Sequence, residues 1–268
     1  MNFNRIALGT WQLAGPVYKD ASNIGWNFIE EDKAINIIKS AIDMGIDFFD
    51  TAEAYGNGKS EALLGKVIGN NYNVKVCSKY GFYEKDGTIY RDFTAERLET
   101  ALHQSLQRLN RDYLDYYLLH GATLNEITEE LIAELLRLKK LGLIKKIGLS
   151  ATFLEPYQNY FDVFDCFEVV YNEITTNNLQ YLPQLSHKEI FARSVFASGL
   201  LLKTAEELSP DKYTDWRSQL HPDIFEKARN YVLQNINNSS KTLIEKALSH
   251  PFSRIIIGVN DISQLSFG

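Results

Sequence analysis

Four residues whose side chains hold or transfer protons follow short apolar runs in this sequence. Asp50 ends the run FFD, and Tyr55 lies five residues beyond it. Lys79 closes VKVCSK, and His120 closes LDYYLLH. Runs of this length, rich in β-branched, aromatic and leucine residues, are typical of buried parallel strands. Because the carboxyl ends of such strands converge on one face of a closed α/β barrel, we expect these four residues to meet there.

These side chains suit proton transfer to a carbonyl oxygen. A tyrosine phenol normally titrates near about 10, and a neighbouring ammonium stabilises its phenolate, so we expect Lys79 to lower the pKa of Tyr55. A buried lysine needs a counter-ion, which Asp50 can supply. His120 would donate a hydrogen bond to the same carbonyl oxygen as Tyr55. The set contains no hydride source, nucleophile or metal, so a reduction would require a bound nicotinamide cofactor.

Each of these residues also has a purely structural interpretation. Asp50 and Thr51 could cap a helix, and Lys79 could be solvated. Tyr55 could pack in a loop, and His120 could bond the backbone. The shared position of all four at strand ends favours a functional site.

The whole chain, residues 1–268, reads as a single α/β domain with the (β/α)8 TIM-barrel fold, which typically needs about 250 residues. Helical periods separate the early strands, at 30–45, 59–69, 95–110 and 128–142. Residues 197–250 form one long segment with more than one helix, and such segments often cover binding sites. The eight predicted strands are RIALGT (5–10), DFFDT (47–51), VKVCSK (74–79), YLDYYLLH (113–120), KIGLSA (146–151), FEVVYNE (167–173), IFARSVF (190–196) and RIIIGV (254–259).

Composition excludes several classes of partner. The chain is 45% hydrophobic and 23% charged, with a formal charge of −6. That balance argues against a nucleic-acid or anionic-membrane partner, since both require clustered lysine and arginine. Only Cys77 and Cys166 occur, without metal-ligand spacing, and are expected to be reduced core thiols. With no leader-like start and no apolar run of about 18 residues, we expect a cytoplasmic protein.

The sequence matches neither the P-loop nor the Rossmann motif, and its histidines lack metal-ligand spacing. GNGKS at 56–60 lacks the glycine that a P-loop needs at position 53, which is Glu53. ALGTWQLAG lacks the GxGxxG spacing of a Rossmann turn. The remaining histidines, His103, His187, His221 and His250, have no mutual metal-ligand spacing, so no metal site is expected.

Aromatic residues stand in predicted loops after three of the strands. Trp11 and Trp26 follow the first strand, Phe82 the third and Trp216 the seventh. We expect them to line a pocket.

Beyond the four candidate residues, eight segments resemble the aldo-keto reductase family in sequence order. They include IALGTWQLAG, FDTAEAYGNGKSEALLGKVI, KVCSKYGF and SLQRLNRDYLDYYLLHG, followed by LKKLGLIKKIGLSA, EVVYNEI, RSVFASGLL and IIIGVNDISQL. The resemblance implies a barrel that binds NADPH or NADH across its carboxyl face and reduces a small-molecule carbonyl substrate. It also implies a catalytic set in which Tyr55 is the general acid, Lys79 and Asp50 tune it, and His120 orients the substrate.

The same resemblance places the cofactor against seven residues: Thr10, Trp11, Ser150, Glu168, Arg193, Gly258 and Asn260. Several positions differ from the family pattern. Ser150-Ala151 replaces Ser-Asn, Glu168 replaces a glutamine that bonds the nicotinamide carboxamide, and Arg193 replaces an aromatic residue that stacks on the ring. No lysine or arginine lies between Gly258 and Gly268 to bind a 2′-phosphate, and the family's eighth helix is mostly missing from the sequence. We expect Glu168 and Arg193 to pair, unless strand register turns one of them to solvent.

Three functions are compatible with the sequence. The first is an NAD(P)H-dependent oxidoreductase acting on an aldehyde, a ketone or a sugar. The second is a catalytically weak or inactive barrel that serves as a binding or regulatory protein. The third is a cofactor-independent isomerase or lyase that acts on a sugar.

Overall fold

Eight parallel strands close into a barrel. The computed structural model describes residues 3–19, 22–85 and 88–266. Each strand pairs with the next in chain order, and the first also pairs with the last, which closes the barrel. All eight predicted strands are present, so the predicted (β/α)8 barrel is confirmed. Their bounds are β1 Ile6–Gly9, β2 Phe48–Asp50, β3 Lys75–Tyr80, β4 Leu114–His120, β5 Ile144–Ala151, β6 Cys166–Val170, β7 Glu189–Arg193 and β8 Arg254–Gly258.

Seven α-helices lie in the described residues, and the four helices predicted from periodicity are among them. Only 3-10 helices, Glu155–Tyr160 and Asn177–Tyr181, follow β5 and β6. The α-helices are α1 Trp11–Ala14, α2 Glu31–Asp43, α3 Lys59–Val67, α4 Ala95–Leu109, α5 Glu129–Lys140, α6 Pro222–Gln234 and α7 Ser240–Leu248. The other 3-10 helices are Phe3–Arg5, Leu124–Glu126, Leu200–Leu202, Ala205–Glu207, Pro210–Lys212, Trp216–Gln219 and Ile262–Leu265.

The sequence of α4 illustrates how the outer helices pack on the barrel. Leu98, Ala101, Leu102 and Leu109 are buried and recur at the three- and four-residue spacing of one helix face. The helix ends at Asn110, which has a φ of 52° and so leaves the helical path. Burial of such a leucine contributes about 1.5–3 kcal/mol, which holds α4 against β3 and orients the strand that carries Lys79.

Three of the four aromatic residues expected in loops lie in regular structure instead, among them Trp216 at the start of its 3-10 helix. Trp11 begins the short helix α1 directly after β1. Phe82 begins a hairpin, Phe82–Lys85 paired with Thr88–Arg91, that extends β3 beyond the barrel mouth. A second small hairpin pairs Tyr18–Lys19 with Ser22–Asn23. Both hairpins lie on loops that follow barrel strands, where pairing between chain neighbours decides the conformation.

The barrel interior is filled by inward-facing side chains of the strands. The buried cluster inside it comprises Ala7, Phe48, Cys77, Tyr116, Leu118, Cys166, Phe191 and Ile256. A larger apolar layer lies between the strands and the outer helices. This packing leaves the strand ends as the place where polar groups gather. None of the helices described in the structure is long and apolar enough to cross a membrane.

Candidate active site

The four predicted catalytic residues meet at the carboxyl end of the barrel. Asp50 ends β2, Lys79 is the fifth of the six residues of β3, and His120 ends β4. Tyr55 lies in the turn between β2 and α3, and its backbone N–H donates to the carbonyl oxygen of Ala52 at 3.0 Å. Parallel pairing of β2 with β3 and of β3 with β4 aligns these strand ends.

Lys79 is the centre of this group. Its Nζ contacts Asp50 Oδ1 directly and donates to the Thr51 carbonyl oxygen at 3.1 Å. The same Nζ lies 3.3 Å from Tyr55 Oη and 3.3 Å from Glu168 Oε2. Burial alone would lower the pKa of Lys79, but Asp50 and Glu168 outweigh it and raise that pKa well above its ordinary value. Lys79 is therefore an ammonium at neutral pH in the resting site.

The electrostatics of Tyr55 contradict the expected lowering of its pKa. Burial raises the pKa of Tyr55 above its usual value of 10.0, and Lys79 lowers it by less than burial raises it. Removing a phenolate from water costs more than one ammonium at 3.3 Å returns, because Asp50 and Glu168 oppose that ammonium. Tyr55 thus remains a protonated donor well into the alkaline range, and Lys79 limits the cost of the phenolate.

His120 is neutral in this environment. Burial, and then the charge of Lys79, lowers the pKa of His120 to about 3. Its ring lies edge-on to Tyr55 at 5.8 Å between centroids and to Phe82 at 5.5 Å. A neutral imidazole carries one N–H, so His120 can donate one hydrogen bond beside the Tyr55 hydroxyl.

Glu168 is the second buried carboxylate of the site, and it pairs with Arg193 as expected. Arg193 Nε lies 3.2 Å from Glu168 Oε1, and Ser150 Oγ donates to the same oxygen at 2.9 Å. Burial raises the pKa of Glu168, but Lys79 and Arg193 outweigh burial and hold it below its ordinary value. The expectation of a Glu168–Arg193 pair is confirmed, and Lys79 is an additional partner that sequence patterns did not indicate.

A groove of about 910 Å³ opens over these residues. Near Tyr55 and His120 its walls are aromatic, formed by Trp11, Trp26, Phe82 and Trp216, as expected from their positions in the sequence. Trp11 stacks on Tyr55 at 5.9 Å, and its ring lies 5.1 Å from that of Trp216. Ligand pockets typically measure about 300–1,000 Å³ and carry such apolar walls. The groove can therefore enclose a small substrate over the Tyr55 hydroxyl.

The groove also carries basic side chains. Lys203 and Lys212, from the long segment after β7, line it together with Arg217. Each has an acidic partner: Lys203 contacts Glu207 at 2.9 Å, and Arg217 contacts Asp215 at 2.7 Å. These cations suit the phosphates of a nucleotide, although their acidic partners reduce the field that a phosphate meets.

Of the seven residues expected to hold a cofactor, Trp11, Arg193, Gly258 and Asn260 line the groove. At Gly258 a Cβ atom would come within 1.9 Å of the Gln12 side chain, so the wall is tight there. The other three lie below the floor: Thr10, Ser150 and Glu168 are each at most 2% exposed.

Thr10 has a structural role in this arrangement. Its hydroxyl donates to the Asp50 carbonyl oxygen at 2.8 Å and lies 2.5 Å from Ser60 Oγ. Its backbone N–H donates to the same Asp50 carbonyl at 2.9 Å. Thr10 therefore fixes the end of β2 and, with it, the position of the Asp50 side chain.

Two residues of the groove, Lys212 and Arg217, were not predicted from the sequence. Lys212 and Arg217 lie in a segment recognisable only by its length, between 197 and 250, and no spacing marked them as ligands. The segment begins with Ala197 and Ser198 at φ values of 46° and 61°, followed by Gly199 at 86°. Consecutive left-handed residues outside helices often accompany a binding loop and could have been suspected from SG at 198–199.

The residues present fit an elongated, phosphate-bearing cofactor. One groove is lined by Tyr55, Arg193, Lys203 and Asn260 among other residues. Glu168 Oε2 is buried and has no hydrogen-bond partner among the described residues, although Lys79 lies 3.3 Å away. Arg193, 30% exposed, lines the same groove and pairs with Glu168.

A closed eight-stranded barrel with this polar group at its carboxyl end defines a class of barrel oxidoreductases. The chain belongs to the aldo/keto reductase family, whose family model matches residues 5–253, and it is an oxidoreductase. The family uses nicotinamide cofactors.

Individual relatives agree with this assignment. The chain is 27% identical over 248 residues to the uncharacterized oxidoreductase YqkF of Bacillus subtilis, covering 88% of this chain and 81% of that protein. It is 28% identical over 269 residues to L-galactose dehydrogenase of Arabidopsis thaliana, covering 91% and 80%. The holo form of aldo-keto reductase AKR11C1 from Bacillus halodurans superposes with a TM-score of 0.76 at 21% identity, covering 97% and 84%, which establishes the shared fold.

Proposed function

We propose that the protein reduces the carbonyl group of a small aldehyde, ketone or sugar with NADH or NADPH as the hydride source. One observation carries the proposal: Asp50, Lys79 and Tyr55 are in continuous contact, and Tyr55 faces the groove beside a neutral His120. This is the arrangement that a carbonyl oxygen needs to receive a proton as it gains negative charge.

Each residue has one role in this reaction. Tyr55 donates its proton to the carbonyl oxygen, and its raised pKa keeps the phenol protonated at neutral pH. Lys79 stabilises the phenolate that remains, and Asp50 holds Lys79 in place. His120 donates a hydrogen bond that orients the carbonyl oxygen. A bound reduced nicotinamide supplies the hydride.

In this proposal the dinucleotide binds along the basic side chains of the groove. Arg193 would meet the nicotinamide end, Lys203 and Lys212 the phosphates, and Asn260 the far end. No lysine or arginine lies between Gly258 and Gly268, so we propose that the enzyme accepts both NADH and NADPH. Selectivity for a 2′-phosphate usually depends on a charge-assisted contact.

We propose that the substrate is a small molecule, and that sugars are one of the compatible substrate classes. The aromatic walls leave room for aldehydes, ketones and sugars, and the relative L-galactose dehydrogenase has a sugar in its name. We also place the protein in the cytoplasm, since its two cysteines are both buried and free.

The test measures consumption of NADH or NADPH by the purified protein through the absorbance of the reduced nicotinamide. We expect NADH or NADPH to be consumed with at least one member of a panel of short aldehydes, ketones and aldoses. Binding should be followed in parallel through tryptophan fluorescence, because Trp11 lies against Tyr55. Cofactor binding without any turnover across the panel would instead support a binding or regulatory protein.

A second candidate function is isomerisation or elimination on a sugar without a cofactor. The Glu168–Arg193 pair favours it, because this pair takes positions that in the family flank the nicotinamide ring. Absence of fluorescence change with both nucleotides, together with conversion of an aldose to a ketose, would support this candidate and contradict the reductase proposal.

A further inference from the structure

The site buries two carboxylates, Asp50 and Glu168, against the single buried ammonium of Lys79. Lys79, Asp50 and Glu168 are 1%, 4% and 1% exposed, and the one ammonium contacts both carboxylates. A carboxylate oxygen of Asp50, one of Glu168 and the sulfur of Cys77 lie within 4.8 Å of one another. Lys79 Nζ already supplies the cation for this cluster.

Arg193 compensates the second carboxylate only in part. It reaches Glu168 Oε1 through Nε, and its side chain is 30% exposed, so water screens its charge. The other oxygen, Glu168 Oε2, has no hydrogen-bond partner among the residues that the structure describes. Two neighbouring carboxylates withdrawn from water cannot both ionise freely, and such pairs share a proton.

We propose that Asp50 and Glu168 hold one proton between them and that this proton replaces the one that Tyr55 gives to the substrate. Burial, followed by the charge of Glu168, raises the pKa of Asp50 to about 8, whereas the pKa of Glu168 is lowered. The pair thus carries its proton at neutral pH and releases it in the mildly alkaline range.

The proton relay rests on the proposed reductase function and balances at each step. The O–H bond of Tyr55 breaks as the new O–H bond of the alcohol forms. Lys79 then gives an N–H proton to the Tyr55 phenolate, and the carboxyl pair gives its proton to Lys79. Asp50, which lines the groove, returns the pair to its protonated state with a proton from water. These four steps transfer protons only.

Other titratable or charged groups face the pair from every side of the site, and all of them enter its protonation equilibrium. They are Lys79 and Cys77 from β3, Tyr55 from the turn after β2, and Arg193 from β7. His120, at the end of β4, is neutral.

Infrared spectroscopy of the protein without cofactor or substrate tests the shared proton. A protonated carboxyl group has a C=O stretching band distinct from that of a carboxylate. We expect such a band at neutral pH, lost as the pH rises through about 8. Its absence from the wild-type protein at neutral pH would overturn the proposal, whatever the variants do.

Single substitutions assign the band to the pair. Glu168→Gln and Asp50→Asn should each abolish it, because the carboxylate that remains faces Lys79 without its neighbour and ionises. Arg193→Gln should move the titration to higher pH, since Glu168 loses a cation that lowers its pKa. The matched control is Glu53→Gln, since Glu53 is a buried carboxylate whose ion-pair partner is Arg97, at 2.6 Å. This control should retain the band.

A band that survives in Glu168→Gln or in Asp50→Asn, or that disappears in Glu53→Gln, would assign the proton to one group and overturn the shared proton.

The pH profile of reduction tests the relay. The alkaline limb near pH 8 should move to lower pH in Glu168→Gln, because Asp50 loses the like charge that raises its pKa. An unmoved limb would overturn the relay. Infrared data need no turnover, so a missing activity would contradict only the proposed reductase.

Discussion

Glu168 on β6 and Arg193 on β7 form an ion pair across adjacent strands, with 3.2 Å between Oε1 and Nε. The register aligns Val170 with Arg193, so Glu168 lies two residues before the partner position and points to the same side of the sheet. Glu168 also contacts Lys79 at 3.3 Å. The pair therefore joins Lys79 to the groove wall.

The first prediction is that the pair is energetically coupled. Glu168→Gln alone should reduce thermal stability and nucleotide affinity more than Glu168→Gln combined with Arg193→Tyr, because the single change leaves Arg193 without its carboxylate. A double-mutant cycle measures the coupling. The control cycle uses Lys146 and Glu189, a more exposed pair, where about 0–1 kcal/mol is expected. Additivity within about 0.5 kcal/mol at Glu168 and Arg193 would show that they act independently.

The second prediction concerns Tyr55 as the proton donor. Tyr55→Phe should lower the rate of reduction by about 10²- to 10⁴-fold, the usual contribution of a general acid, and leave nucleotide affinity unchanged. Rates and fluorescence titrations measure the two effects. Tyr213→Phe is the control, because Tyr213 lines the same groove and its hydroxyl has no hydrogen-bond partner among the described residues. Retention of most activity in Tyr55→Phe would remove Tyr55 from the mechanism.

The third prediction is weak discrimination between NADPH and NADH. The groove wall beyond Gly258 is formed by Asn260, Ser263, Gln264 and Ser266, none of which carries a positive charge. One charge-assisted contact to a 2′-phosphate would contribute roughly 1.5–3 kcal/mol. We expect the two dissociation constants to differ by less than about 100-fold, which is about 2.7 kcal/mol. A larger preference for NADPH that is lost in Lys203→Ala would identify Lys203 as the missing contact.

The fourth prediction links His120 to acid stability. Its pKa is about 3 in the folded protein and 6.5 as a free side chain, so the unfolded chain binds the extra proton between these values. Stability should therefore be complete above about pH 6.5 and fall progressively as the pH drops toward about 3. His120→Gln should flatten the decline in melting temperature over this window. The exposed His187 provides the control, since His187→Gln should leave the decline as in the wild type. Equal slopes in all three proteins would show that His120 is not the titrating group.

The sequence by itself determined the barrel and four of its site residues. Strand runs and helix periods are local properties, and their alternation leaves a closed parallel barrel as the compact arrangement. Asp50, Lys79 and His120 stand at the ends of those runs, so their convergence follows from topology alone. The position of Tyr55 beside these residues is also predictable, because only a short turn separates it from β2. The Glu168–Arg193 pair was also predictable, since both residues lie on neighbouring strands.

Tertiary structure decided what these residues do to one another. The pKa of Tyr55 is raised rather than lowered, because burial from several elements outweighs one ammonium, and burial is not a property of local sequence. The contact between Lys79 and Glu168 joins strands that are not neighbours in the barrel, so only closure creates it. Lys212 and Arg217 reach the groove because a long segment folds back over the mouth, and no periodicity encodes such a path.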